Sequence, residues 1–412
     1  MSTRMSDTLK RSAVAFSSAR PALLAAGIVA IAANLRAPLT SVGPLVDDIR
    51  NSLRMSNAGA GMITTLPLLT FAVFSLVAPG IGRRFGDRFV LFCSAALLTL
   101  GIVARSIPGI GFLFGGTLIV GVAIAMCNVL VPAVIKREFP DRTGLITGVY
   151  SVSMNTFGAI ASGVSIPIAS GLAFGWSTAL GVWAALGFAA TLLWLPQLKH
   201  NRQASPSPIP APATGGEPVT SSKAALWRSP LAWQVTVFMG MQSLTFYSLV
   251  AWMPKIFVFR GMDVAGAGWM LSLMQLFVIP CCFISSVLAG RPGGPWRLVA
   301  GGFVATASGL LGLLAGGSGW MALWVVALGV GGGTFFGLAM MFFSLRTDNA
   351  LEAARLSGMA QSIGYLLAAV GPTFIGFLYD TSGSWTAPIL FLFGAALVCG
   401  VSGALASRKG KV

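Results

Sequence analysis

The first apolar run of the sequence contains one arginine, Arg36, with two prolines after it. An arginine near the middle of a bilayer costs about 2.5–3.5 kcal/mol, so such a residue usually faces a protein interior or an aqueous cavity. Pro38 and Pro44 have no N–H, so the carbonyl groups of Asn34 and Thr40 lose their helical partners. A cation beside free carbonyl groups on a broken helix predicts a ligand site between helices.

Arg36 also has a purely structural interpretation, in which its side chain extends toward the bilayer surface or bonds to the freed carbonyl groups. As a ligand cation it suits planar, delocalised anions and nitro groups, because the donors of a guanidinium form a rigid fork. Amides and tyrosines in other apolar runs could share the site, although each alone is more often a hydrogen-bonding link between helices. The candidate substrate-binding residues are Asn34, Arg36, Asn128, Tyr150, Asn155, Gln242, Tyr247, Gln361 and Tyr365.

Two other groups of residues are interpreted as packing rather than as part of a site. Phe335 and Phe336 are expected in the core. The glycine pairs Gly111/Gly115 and Gly333/Gly337 are expected where two helices approach closely.

The sequence lacks the residues of several other kinds of site. The eleven Asp and Glu residues fall in loops or at helix ends, and the one histidine, His200, lies in a polar segment. A proton relay inside the membrane is therefore not expected. The sequence has no phosphate-binding loop for ATP and no Cys/His cluster, so neither a metal nor a cofactor is predicted. A membrane enzyme or sensor is disfavoured for the same reason.

Composition places the 412-residue chain among membrane proteins. It is 55% hydrophobic and only 9% charged, whereas about a quarter of the residues of a soluble domain are charged. The net charge of +16 comes from cations scattered between apolar runs, so a lipid bilayer rather than a nucleic acid is the expected partner.

Twelve apolar runs are long enough to span a bilayer. Most of the lysines and arginines fall in the loops of one side if both termini are cytoplasmic, which fixes the orientation by the positive-inside rule. The predicted organisation is a cytoplasmic tail (1–20), a six-helix bundle (21–195), a cytoplasmic Pro/Ser-rich linker (196–229), a second six-helix bundle (230–407) and a short cytoplasmic tail (408–412).

Several motifs in both halves resemble one transporter family. They are Asn34-Leu-Arg-Ala-Pro38 with Ser41–Leu45, Thr64–Leu68 with Ala78-Pro79, Asn128–Pro132 with Ile135–Pro140, Gln242 with Phe246-Tyr247 and Ala251–Pro254, and Ala360–Tyr365. Together they are similar to the cyanate/2-nitroimidazole transporter family of the major facilitator superfamily. The resemblance implies an all-α membrane protein with the major facilitator fold and favours Asn34, Tyr247 and Gln361 as substrate contacts.

The loop after the second span departs from the superfamily pattern Gly-x-x-x-Asp-Arg-x-Gly-Arg-Arg. In Pro79–Arg88, Arg83 stands at the acidic position and Asp87 stands where a base is usual. Arg83, Arg84 and Asp87 are the candidate gating residues. Because of this departure, the sequence does not predict whether they make the gate contacts of the superfamily motif.

The resemblance implies a secondary transporter in a bacterial inner (cell) membrane, acting as a monomer and not as an enzyme. The first hypothesis is transport of a small polar or anionic solute, cyanate-like or nitroimidazole-like, by alternating access with Arg36 as the ligand cation. The alternative is a multidrug or metabolite exporter of the same fold. A large aromatic cavity with little dependence on Arg36 would favour the alternative.

Overall fold

The computed structural model describes residues 2–55, 57–171, 175–198, 223–315, 318–408 and 410–412. Within these ranges, twelve helical spans are long and apolar enough to cross a membrane. The all-α membrane architecture predicted from the apolar runs is therefore confirmed. Most of the predicted linker, residues 199–222, lies outside the described residues.

Within each half, the helices are joined by short connections. In the first half they are α1 (Ser2–Thr40), α2 (Val46–Ser52), α3 (Asn57–Phe85), α4 (Asp87–Arg105), α5 (Ile110–Glu138), α6 (Thr143–Gly171), α7 (Trp176–Gly181) and α8 (Trp183–Trp194), of which α7 and α8 form one span. In the second half they are α9 (Lys223–Arg228), α10 (Pro230–Phe259), α11 (Val264–Leu288), α12 (Gly294–Ala315), α13 (Met321–Leu345), α14 (Ala350–Ser382) and α15 (Thr386–Ala406).

The first helix is less broken than its prolines suggest. α1 continues through Pro38 to Thr40, and a 3₁₀ turn at Gly43–Leu45 then contains Pro44. The hydroxyl groups of two residues bond to main-chain carbonyls near the end of this helix: Thr40 to Arg36 O and Ser41 to Pro38 O. The predicted interruption is therefore real, but it follows Thr40 and does not occur at Pro38.

Helices α11 and α13 cross at a stripe of glycines. A Cβ atom at Gly329, Gly333 or Gly337 would overlap the carbonyl oxygens of Met274, Val278 and Cys282 respectively, one turn apart along α11. Because only glycine permits this approach, the predicted contact at Gly333/Gly337 is confirmed. The same prediction for Gly111/Gly115 is wrong, since nothing lies within 4 Å of a Cβ at either position.

The two halves touch through α3 with α14 and through α6 with α11. Gly358 of α14 lies against Ser75 and Pro79 of α3, and Gly148 of α6 lies against Phe283 of α11. These positions are near the end of the molecule at which α3, α5, α11 and α13 finish. We call it the closed end, because the halves pack directly against one another there.

The α11–α13 crossing predicts the effect of one added side chain. Gly333→Val should lower the melting temperature in detergent, because overpacking at a backbone contact costs about 1–3 kcal/mol. The matched control is Gly301→Val, since Gly301 is exposed on α12 with nothing within 4 Å of its Cβ position. Equal melting temperatures for the two variants would contradict this account of the packing.

Candidate functional site

A small cavity lies at the centre of the molecule, between the two halves. It has a volume of about 20 Å³, enough for about one water molecule. α1, α3, α5 and α6 line it on one side, and α10, α13 and α14 line it on the other. The predicted binding residues that line this central cavity are Arg36, Asn128, Tyr150, Tyr247, Gln361 and Tyr365.

Arg36 is held by an amide and two aromatic rings. Its Nη1 donates a hydrogen bond to Asn155 Oδ1. Its guanidinium carbon lies 4.7 Å from the ring centroid of Phe246 and 5.3 Å from that of Phe336, within the range of a cation–π interaction. Among the described residues no carboxylate forms an ion pair with Arg36. The charge is thus stabilised without being neutralised.

These contacts join the two halves. Arg36 and Asn155 belong to α1 and α6, whereas Phe246 and Phe336 belong to α10 and α13. Both polar atoms of Asn155 are bonded, because its Nδ2 donates to Ser151 O at 2.7 Å. Asn155 therefore orients the guanidinium of Arg36.

A second polar contact crosses the interface beside Arg36. Gln361 Nε2 donates to the main-chain oxygen of Asn128 at 3.0 Å and to Ser357 Oγ at 2.7 Å. Tyr150 donates its hydroxyl hydrogen to Asn128 Oδ1 at 3.2 Å. Gln361 Oε1 is buried and has no hydrogen-bond partner in the described part of the chain. Because buried acceptors are normally bonded, this oxygen is available to a donor in the cavity.

Two tyrosines complete the wall of the central cavity with their rings. Tyr365 packs against Phe71 of α3 at a centroid distance of 4.9 Å. Tyr247 packs edge-on against Phe246 at 5.5 Å. The cavity therefore combines one cation, several neutral hydrogen-bonding groups and flat apolar faces, which is the usual composition of a small-molecule site.

Two of the predicted residues lie elsewhere. Asn34 Nδ2 donates to Ala30 O at 2.8 Å and to Leu186 O at 3.2 Å, so it links α1 to α8. Gln242 lines a different cavity inside the second half, where its Nε2 donates to Ser243 Oγ at 2.7 Å. Residue type favours both amides, and the motif also favours Asn34, but the helix face on which each lies decides against the central cavity.

Phe246 and Phe336 are contacts that the sequence analysis missed. Phe336 was interpreted as a core residue, and Phe246 was noted only as part of a motif. Neither residue type nor spacing marks a phenylalanine as the partner of a cation on another helix. The contact depends on how the two halves dock, which the sequence does not encode locally.

The candidate gating residues lie at the closed end, and Asp87 has its partner in its own half. Asp87 Oδ2 accepts a hydrogen bond from Arg137 Nη1 at 2.6 Å. Next to it, Arg88 pairs with Glu138 at 3.0 Å. Arg83 is exposed, and Arg84 stacks over the ring of Phe85 at 5.3 Å. The two ion pairs of Asp87 and Arg88 join the start of α4 to the end of α5.

The cation that crosses the closed end is Lys136, which was not predicted. Its Nζ donates to Ser344 O at 2.7 Å, to Thr347 Oγ1 at 2.6 Å and to Thr347 O. Carbonyl groups at the end of a helix lack intrahelical partners and carry partial negative charge. Lys136 of the first half therefore caps the end of α13 in the second half.

Comparison with known proteins places the chain among membrane transporters. The family model described as Major Facilitator Superfamily matches residues 22–372. The uncharacterized transporter YycB of Bacillus subtilis (strain 168) is 45% identical over 386 residues, 93% of each chain. The 2-nitroimidazole transporter of Escherichia coli (strain K12) is 36% identical over 396 residues, 95% of this chain and 96% of the relative.

More distant proteins are similar as well. The cyanate transport protein CynX of Escherichia coli (strain K12) is 26% identical over 367 residues, 87% of this chain and 90% of the relative. The proton:xylose symporter XylE is 13% identical in sequence, and its structure superposes with a TM-score of 0.73 over 93% of this chain and 94% of that one. Because the sequence identity is only 13%, this structural likeness shows a shared fold alone.

Removal of the Lys136 ammonium should loosen the closed end. Hydrogen bonds to a charged group contribute about 1.5–3 kcal/mol each, so Lys136→Met should shift the conformational equilibrium toward separation of the halves by about tenfold or more. Spin labels on cysteines at positions 142 and 291, in a background without native cysteines, report the distance across this end. The control is Lys255→Met, because Lys255 is exposed and contacts Trp252 on its own helix. An unchanged distance distribution in Lys136→Met would refute the role of this contact.

Proposed function

The chain belongs to the Major Facilitator Superfamily, and we propose that it moves a small polar or anionic solute by alternating access, with Arg36 as the ligand cation. The observation that carries this proposal is that the charge of Arg36 in the central cavity is not neutralised. Its charge has an amide and two aromatic rings around it and, among the described residues, no carboxylate partner. An anion or a nitro group can supply the missing partner.

The shape of the donor group narrows the chemistry of the solute. A guanidinium offers donors in a rigid plane, which suits the oxygens of a carboxylate or nitro group and the ends of a delocalised anion. One relative is described as a 2-nitroimidazole transporter and another as a cyanate transport protein. We infer a solute of the same kind for this chain, cyanate-like or nitroimidazole-like.

The contacts between the halves support an alternating-access cycle. Arg36 touches aromatic rings of the opposite half at the level of the cavity, and Lys136 caps α13 at the closed end. Transporters of this architecture alternate access by moving one half against the other around a central site. In this cycle, opening the closed end breaks the Lys136 contacts. The bound solute then replaces part of the cation–π stabilisation that the aromatic rings provide to Arg36.

The orientation in the membrane follows from the loop charges. We place both termini, the linker 196–229 and the closed end in the cytoplasm, because the loops of that side carry most of the cations. The named bacterial relatives support the inner (cell) membrane as the location. We propose a monomer, because both walls of the central cavity come from one chain.

The exporter alternative has less support. A multidrug site would be large and largely independent of the cation, whereas this cavity measures about 20 Å³ and has Arg36 in its wall. The aromatic residues Phe246 and Phe336 both contact the guanidinium. A site centred on one charge favours a small anionic or nitro solute.

Substitution of Arg36 tests its role. Arg36→Gln should fold normally, because loss of an unneutralised charge relieves a burial cost, but it should weaken binding of cyanate or 2-nitroimidazole about ten- to a hundredfold. Arg36→Lys should restore binding only in part, because an ammonium has no planar fork. Affinity and melting temperature are measured on both variants, with Arg297→Gln as a control at an exposed position. A Gln variant that melts lower but binds normally once folded would instead assign Arg36 a structural role.

The composition of the cavity predicts little dependence on protonation. No Asp, Glu or His is among the described residues that line it. Strict uptake of one proton with each solute would change the apparent affinity about a hundredfold between pH 6 and pH 8. We expect the affinity for cyanate to change much less over this range. Uptake into proteoliposomes that an imposed pH gradient alone can drive, and a protonophore abolishes, would contradict this expectation.

A further inference from the structure

A second cavity lies inside the second half, close to the central one. It also has a volume of about 20 Å³, enough for about one water molecule. Its walls come from α10, α11, α12, α13 and α15 and are largely apolar, with Leu249, Met274 and Leu328 among them. We call it the lateral cavity.

Two helices separate the lateral cavity from the central one. On α10, Phe246 lines the lateral cavity and Tyr247 lines the central cavity. On α13, Phe335 lines the lateral cavity and Phe336 lines the central cavity. Consecutive residues of a helix point about 100° apart, so each helix presents one aromatic residue to each cavity.

Phe246 is part of this wall. One side of its ring contacts the guanidinium of Arg36 at 4.7 Å, and the same side chain lines the lateral cavity. Phe246 is only partly buried. Its side chain therefore stands between Arg36 and the lateral cavity.

The lateral cavity also carries polar groups with few partners. Thr306 is 4% exposed, and its hydroxyl group has no hydrogen-bond partner among the described residues. Within the same part of the chain, Gln242 Nε2 bonds to its near neighbours Ser243 and Met239. A mainly apolar pocket with a few polar groups is typical of a ligand site.

We propose that the lateral cavity is a second subsite of the transport site. It accepts the flat, apolar ring of a small aromatic solute while Arg36 binds the nitro or carboxylate oxygens of the same molecule, and Phe246 is the movable wall between them. This inference rests on the proposed function, because it requires Arg36 to be the ligand cation. It assigns the lateral cavity to solutes with a ring, whereas a linear ion such as cyanate has no ring to place there.

In the conformation described, each cavity has room for about one water molecule, so a ring with a polar substituent enters only if Phe246 moves. Rotation of Phe246 places the ring of the solute where the phenyl ring was, against Phe335 and Leu328. The aromatic contact that Arg36 loses from Phe246 is replaced by the oxygens of the solute.

A substitution that fills the lateral cavity tests the inference. Gly332 lines this cavity, and a Cβ atom there meets only Val278 Cγ2, at 3.9 Å, so Gly332→Val adds volume without displacing the backbone. Gly301→Val is the matched control on an exposed position of α12. The probes are sodium cyanate, 2-nitroimidazole and benzoate, and affinity is measured on the purified full chain together with the melting temperature.

We expect Gly332→Val to weaken binding of 2-nitroimidazole and benzoate about tenfold or more and to leave cyanate binding unchanged. Arg36→Gln should weaken binding of cyanate and of the ring compounds alike. Equal affinities of Gly332→Val and Gly301→Val for the ring compounds would overturn the inference, as would a parallel loss of cyanate binding. If Arg36→Gln leaves every affinity unchanged, the proposed function itself fails.

A second variant tests the movable wall. Phe246→Ala should raise the association rate of 2-nitroimidazole, because no ring has to turn before the lateral cavity opens, and should not raise that of cyanate. Stopped-flow measurements give both rates. An unchanged or lower rate for 2-nitroimidazole would show that Phe246 does not separate the subsites.

Discussion

The structure depends on how one positive charge is kept inside an apolar molecule. Arg36 cannot lie in hydrocarbon without a large cost in free energy, and the protein meets that cost with an amide from its own half and two aromatic rings from the other. Aromatic rings stabilise a cation and leave its hydrogen-bond donors largely unused. The same contacts that make the charge tolerable therefore keep it available to a solute.

Cations connect the halves at two depths by different means. At the centre Arg36 meets aromatic faces, a contact with broad geometric tolerance. At the closed end Lys136 meets the carbonyl oxygens at the end of α13, a contact that fixes position because hydrogen bonds require alignment. The first contact can adjust as the halves move, whereas the second is either formed or broken. This difference fits the proposed cycle, in which Arg36 exchanges aromatic contacts for a solute while the Lys136 contact at the closed end forms and breaks.

Much of this architecture could be predicted because lipid imposes simple rules. The apolar runs identified the spans, and the isolated charge identified Arg36, since both signals are local in sequence. The sequence could not show that Asn34 faces α8, that Phe246 faces Arg36 or that Lys136 reaches Thr347. Each of these depends on the rotation of a helix about its axis or on the docking of the halves. The departure at Arg83 and Asp87 was visible in the sequence, but the partner of Asp87 on α5 was not.

The small volume of the central cavity also has an electrical consequence. With room for about one water molecule beside Arg36, the central cavity leaves little space for a file of water in the conformation described, and the fixed positive charge further repels cations. In this conformation both features oppose the passage of protons and metal ions past Arg36.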